Sequence, residues 1–148
     1  MVRVAYCLLG DLTASEDAAQ EAFASLHRHW DGVRDSGALV AYLRRATINQ
    51  CRTGQRRLIR GRGALARIPR PASAPSSEDA AVAHDEYRRL AAAISELPTR
   101  QREVLVCRYL LEMSEAETSQ ALEIGVGSVK QHAHRARATL HATMGEIR

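Results

Sequence analysis

Aromatic residues are scarce, at 4% of the 148 residues, with one Phe and one Trp. Sheets draw on aromatic and β-branched side chains, whereas this chain is filled with Ala, Leu, Arg and Glu, so helix is expected from the outset. Cysteine is equally sparse: Cys7, Cys51 and Cys107 are odd in number and far apart. That excludes a complete disulfide framework, and no CxxC spacing suggests zinc. Reduced, packed thiols in a cytosolic protein are expected. No apolar run approaches the ~18–20 residues of a membrane span. The opening MVRVAYCLLGD turns acidic too soon for a signal peptide. With 26% charged and 45% hydrophobic residues, the composition is that of a soluble globular chain.

Acid is missing where base is concentrated. Between Asp35 and Glu78 there is no acidic residue, while nine arginines fall there: Arg44, Arg45, Arg52, Arg56, Arg57, Arg60, Arg62, Arg67 and Arg70. A second acid-free stretch, Ile124 to Gly145, carries Lys130, Arg135 and Arg137 with His132, His134 and His141. Acids gather instead at Glu16, Asp17 and Glu21, and at Glu112, Glu115, Glu117 and Glu123. Solvated faces usually mix signs, so two segregated basic blocks point to two surfaces that each meet a polyanion, with nucleic acid the better reading.

Residues 61–84 hold three of the four prolines with Ser and Ala and no apolar period, the composition of a flexible linker. It separates a block over 1–60 from a block over 85–148, each small enough to be marginal alone. In the first, Thr13 and Glu16 have capping-box spacing. The helix they would open sets Ala19, Phe23, Leu26 and Trp30 on one apolar stripe, with Asp17, Gln20, Glu21 and Arg28 on the other side. A second long helix then turns Leu39, Leu43, Ala46 and Cys51 inward, with arginines outside. In the second block a helix from about 79 to 96 closes at Leu97-Pro98, and Thr99 is placed to cap the next. Ser114 and Glu117 form another capping box, opening a short helix that ends near Glu123. After Ile124-Gly125-Val126-Gly127, with Gly125 suited to the N-cap, a last helix buries Val129, Ala133, Ala136 and Leu140. Ser128, Lys130, Gln131, His132, His134 and Arg135 face outward or flank that stripe. Short helix, Gly-containing turn and longer acid-free helix make a helix-turn-helix.

Both blocks together resemble the extracytoplasmic-function group of the sigma-70 family, of the actinobacterial sigma-E-like type. SEDAAQEAF (15–23) and AYLRRATINQCRTGQRR (41–57) are similar to region 2, and 95–140 to region 4. The resemblance implies an all-α protein of two small helical domains, a region 2 bundle and a region 4 helix-turn-helix, joined by the linker. It implies a cytoplasmic initiation factor that is not an enzyme and carries no catalytic residue, metal or cofactor. Its partners would be core RNA polymerase, through the β′ clamp and β flap, and promoter DNA, with no membrane and no small-molecule substrate; an anti-sigma factor is left open.

By position, Asp17, Gln20, Glu21 and Phe23 match the segment that docks on the polymerase clamp. Tyr42, Arg45 and Asn49 match the segment that opens the minus-ten element, and Arg52, Arg56 and Arg57 its basic continuation. Ser128, Lys130, Gln131, His132, His134 and Arg135 fall on the helix that reads the minus-35 element. The chemistry fits: a melted strand needs a cationic track and stacking planes, and a duplex needs a helix in its major groove.

The chain departs from the family pattern at several points. Tyr42 stands where tryptophan is usual, still able to stack, and Thr53 where an acid is frequent. Glu117-Thr118-Ser119 replaces an EIA triplet, a less apolar contact expected to pack more weakly, and Glu123 replaces the usual turn glycine. Family members carry further residues before VRVAY, so either the true start lies upstream or the first helix is short and its domain less stable. The C-terminal half alone also resembles response-regulator DNA-binding domains, which keeps open a single helix-turn-helix regulator acting on palindromic DNA without polymerase. Against a nuclease or recombinase, the acids lie on separate helix faces and the histidines show no ligand spacing except His132 and His134, which are two apart and diverge on a helix.

Overall fold

Short polar stops cut the chain into helices whose inner faces are small and apolar. The computed structural model describes residues 1–32, 35–61 and 78–145. Among the described residues the regular elements are all helical: α1 (Val2–Leu9), α2 (Leu12–Arg28), α3 (Ser36–Gly61), α4 (Glu78–Glu96), α5 (Thr99–Leu105), α6 (Glu115–Leu122) and α7 (Val126–Gly145). A 3-10 turn, Trp30–Gly32, follows α2, and a π-helical turn, Val106–Leu110, continues α5. The chain divides into two compact units, Met1–Pro69 and Arg70–Arg148. Residues 62–77, most of the expected linker with Arg62, Arg67 and Arg70, lie outside the described residues. No described helix is long and apolar enough to cross a membrane.

In the first unit, Gly10 ends α1 at φ 66°, its N–H donating to the Tyr6 carbonyl. Glycine takes that left-handed position without the steric cost other residues meet. Asp11 follows at once and caps α2, its carboxylate accepting from the Ala14 N–H at 2.7 Å. The expected cap, Thr13 with Glu16, is therefore displaced into the first turns of the helix, because Gly10 leaves Asp11 in the extended conformation an N-cap requires. Asp35 starts α3 in the same way, accepting from the Ala38 N–H at 2.7 Å.

The three helices pack on one another through Ala5, Cys7, Leu8 and Leu9 of α1, Ala18, Ala19, Ala22 and Leu26 of α2, and Leu43, Ile48 and Cys51 of α3. Leu39 and Ala46 pack at the margin. Here the expected stripe on α2 needs correction. Ala19 and Leu26 are buried, but Phe23 and Trp30 are 51% and 57% exposed. The inner face is built from alanines, which let the helices approach closely, and α2 ends at Arg28 before Trp30 could extend the stripe. Gln55 secures the free end of α1 by donating from Nε2 to the Leu8 carbonyl at 3.1 Å.

In the second unit, α4, α5 and α6 all pack against α7. Ile94, Leu97, Val104, Val106, Leu122, Val129 and Ala136 form its buried centre, with Cys107 among them. Ala133 and Leu140 are half-buried along the same stripe of α7. Thr99 is the first residue of α5, whose N-cap is Pro98 with no side-chain cap. The expected Thr99 cap is absent because α5 begins one residue earlier than that reading required. Glu103, 3% exposed, is held by Arg100 at 2.9 Å.

The α6–α7 turn shows how the chain manages without a glycine at 123. Glu123 adopts φ 56°, ψ 46° as the C-cap of α6. Ser119 braces it: its hydroxyl donates to the Ile124 carbonyl at 2.6 Å, and its own carbonyl accepts from the Ile124 N–H at 3.1 Å. Ser114 and Glu117 form the full reciprocal capping box at the other end. Thr118, directly after Glu117, is fully buried, and its Oγ1 has no hydrogen-bond partner.

Candidate functional site

Three helix surfaces carry the residues singled out in the sequence. On α2, burial of Ala18, Ala19, Ala22 and Leu26 turns Asp17, Gln20 and Glu21 to solvent. Phe23 is exposed as well, one turn beyond Gln20 at the edge of that face, so an apolar ring stands in water next to the amide. Glu21 is paired with Arg28 two turns on, at 2.8 Å, both ends exposed. Trp30, in the turn that follows α2, adds a second exposed aromatic ring that sequence reasoning had assigned to the core. The period fitted either face; the run of alanines opposite was the sign that the large rings were not needed inside.

On α3, Arg45, Asn49, Arg52 and Arg56 recur at i, i+4, i+7 and i+11, and so line one face over ~16 Å of helix. Arg45, Asn49 and Arg56 are exposed and Arg52 is half-exposed. Leu43, Thr47, Ile48 and Cys51 take the opposite face into the core, with the Thr47 hydroxyl satisfied by the Leu43 carbonyl at 2.8 Å. Arg57 is exposed but on a neighbouring face, a third of a turn round. Because nothing acidic occurs between Asp35 and Glu78, this track has no internal counter-charge from its own helix.

Tyr42 is placed differently from a side chain held out for stacking. Its ring packs against Ala22, Leu26 and Leu43. Its hydroxyl meets Ser25 Oγ at 2.8 Å and His29 Nδ1 at 3.1 Å, and His29 Nδ1 also lies 2.8 Å from the Ser25 carbonyl. The His29 and Tyr42 rings sit 5.7 Å apart between centroids. Tyr42 thus latches the end of α2 to α3.

On α7, Gln131, His134 and Arg135 are exposed on the side opposite Val129, Ala133 and Ala136. Ser128 is half-buried at the edge. His132 flanks the stripe: it is half-buried, and its Nδ1 is shielded from solvent with no hydrogen-bond partner. It lies one residue nearer the α7 stripe than Gln131, which turns its ring toward the packed side. Lys130, on the other flank, reaches Glu115 of α6 at 3.6 Å.

The three cysteines are buried and none is in a disulfide. Loss of solvent around Cys51 pushes its thiol up to about 12, so it is held as the neutral thiol.

Comparison with known proteins agrees with this layout. The chain matches the family models for sigma-70 region 2 over residues 1–61 and for sigma-70 region 4 over residues 87–140. It is 33% identical over 141 residues to an RNA polymerase sigma-E factor of Streptomyces avermitilis, covering 95% of this chain and 76% of that one. It is 34% identical over 134 residues to an RNA polymerase sigma-E factor of Streptomyces antibioticus, covering 90% and 72%. Among solved structures, the sigma factor RpoE of Bartonella quintana, determined in complex with the anti-sigma factor NepR, shares the fold at a TM-score of 0.66 and 19% identity, over 99% of this chain and 91% of that one. Region 2 and region 4 in this order, with relatives a third identical over most of both chains, place this protein in the extracytoplasmic-function group of RNA polymerase sigma factors.

Proposed function

We propose that the chain is a non-catalytic initiation subunit of the cytoplasm that joins core RNA polymerase to a two-part promoter. Its two domains, over 1–60 and 85–148, are joined by a linker over 61–84. Asp17, Gln20, Glu21 and Phe23 on α2 dock on the β′ clamp, and the second domain engages the β flap. Arg45, Asn49, Arg52 and Arg56, with Arg57 beside them, track the strand opened at the minus-ten element. Ser128, Gln131, His134 and Arg135, flanked by Lys130 and His132, meet the minus-35 duplex. The observation that carries this reading is the segregation of chemistry by helix: acids with an exposed aromatic on α2, a cationic track on an α3 that has no acidic residue, and an acid-free α7. A packed bundle needs none of these.

The test is run-off transcription with core polymerase and the wild-type chain, followed by two sets of variants. Glu21→Arg should reduce co-purification with core polymerase with little effect on folding, since exposed substitutions usually cost within about 0.5 kcal/mol. Arg135→Ala or Gln131→Ala should relax preference within the upstream element only, each base-edge contact discriminating by ~1–3 kcal/mol. Asn49→Ala or Arg45→Ala should instead impair strand opening, read by permanganate reactivity of unpaired thymines, and a pre-melted bubble should restore part of it. An Asn49→Ala holoenzyme that opens linear promoters normally would refute the division. Tight, specific duplex binding by the isolated chain would favour a single helix-turn-helix regulator instead.

A further inference from the structure

We infer that Glu115 is a positioning residue that competes with DNA for Lys130, so that Lys130 acts on the upstream duplex as a phosphate contact of adjustable strength and not as a reader of base edges. The inference rests on the assignment of α7 to the minus-35 duplex. Its starting point is where Lys130 stands on α7. Val129 and Ala136 are buried, and Gln131 and Arg135 are exposed on the opposite side. Lys130 precedes Gln131 by one residue and lies roughly 100° round the helix from it. It therefore projects along the flank facing α6, on the side of His134 one turn on and away from Arg135.

The Lys130 Nζ lies 3.6 Å from Glu115 Oε2, with the two side chains 64% and 39% exposed. The neighbouring Glu117 is committed elsewhere: its carboxylate accepts from the Ser114 N–H at 2.7 Å, completing the cap of α6. Glu115 has no share in that cap. It stands in the first turn of α6 with its charge directed at the one lysine of α7. In a helix-turn-helix the first helix crosses the sugar–phosphate backbone while the second enters the groove. A cation shared between the start of α6 and the flank of α7 is therefore positioned where phosphates pass. A phosphate approaching Lys130 meets a carboxylate already paired with it, and must displace that carboxylate or share the ammonium. Exposed ion pairs are weak and yield in this way. Glu115 thus lowers the affinity of α7 for every duplex alike and leaves sequence preference to Gln131 and Arg135.

The experiment uses holoenzyme assembled from core polymerase and the full chain, binding promoter duplexes across a salt series and across substitutions in the upstream element. Glu115→Gln should tighten binding to all duplexes by roughly two- to five-fold at low salt, the range an exposed pair can supply. The slope of log affinity against log salt should steepen by up to about one. Base preference should not change. Lys130→Ala should do the reverse, with weaker binding, a flatter slope and the same preference. Glu115→Asp, which keeps the charge, should stay near wild type. In a Lys130→Ala background the gain from Glu115→Gln should fall by more than half. An equal gain in both backgrounds would overturn the competition, since it would reflect repulsion of DNA by Glu115 alone. Altered base preference in Lys130→Ala would overturn the phosphate role. A wild-type chain that supports no promoter-dependent initiation would sink the functional reading beneath both.

Discussion

The Tyr42 latch makes a quantitative claim about what holds the first unit together. Replacing Tyr42 by Phe keeps the ring against Ala22, Leu26 and Leu43 but removes the hydroxyl that meets Ser25 Oγ at 2.8 Å and His29 Nδ1 at 3.1 Å. Ser25 is half-buried and loses a partner, while His29 keeps its contact with the Ser25 carbonyl at 2.8 Å. One net hydrogen bond of this kind contributes about 1 kcal/mol. In a unit of this size that corresponds to a fall in melting temperature of roughly 4–8 °C. The assay is selective, because Trp30 is the only tryptophan in the chain and lies in the first unit, beside His29. Its fluorescence, followed through a thermal melt, reports that unit and not the second. A Tyr42→Phe chain melting within about 1 °C of wild type by Trp30 fluorescence would refute the latch. A matching loss in His29→Ala that is not additive with Tyr42→Phe would locate the effect in the Tyr42–His29 pair.

Two further outcomes follow from buried groups. Thr118→Val should stabilise the second unit by about 1 kcal/mol, since it removes a fully buried hydroxyl that lacks a partner and keeps the shape; calorimetry showing a loss would mean that the hydroxyl is satisfied. For Cys51 the unfolded thiol titrates near 9.0 and the folded one near 12. Its contribution is therefore complete below pH 9 and is lost as pH rises toward 12. Comparison with Cys51→Ala should show a steeper alkaline loss in the wild type, and parallel pH curves would contradict the assignment.

Much of this was legible in the sequence where one local rule acted without a rival. Ser114 and Glu117 make the cap their spacing demands, Gly125 precedes α7, and Val129 and Ala136 are buried as their spacing requires. The reading failed where two rules competed. Thr13 with Glu16 satisfies the capping pattern as well as Asp11 does. What decided between them was the left-handed Gly10 ending α1, a backbone event no pattern on α2 contains. On α2 two stripes share Ala19 and Leu26. Size favoured the stripe with Phe23 and Trp30, yet close helix contact chose Ala18 and Ala22. Of the candidate surfaces, α3 could be laid out from periodicity alone. The hold on Tyr42 and the reach of Glu115 to Lys130 depend on contacts between helices, which one-dimensional spacing does not encode.

The alanine seam of the first unit also bears on which sequences could replace this one. Ala5, Ala18, Ala19 and Ala22 are all nearly or fully buried where α1, α2 and α3 meet. Larger side chains there would force the helices apart at a cost of typically 1–3 kcal/mol, while glycine would loosen each helix by up to ~1 kcal/mol. Change in either direction is penalised at the seam, whereas the outer faces of the same helices bear no such packing restriction. Sequence drift is thereby channelled outward: a lineage carrying this bundle can alter what its surfaces bind many times over while the spacing of its helices stays nearly unchanged.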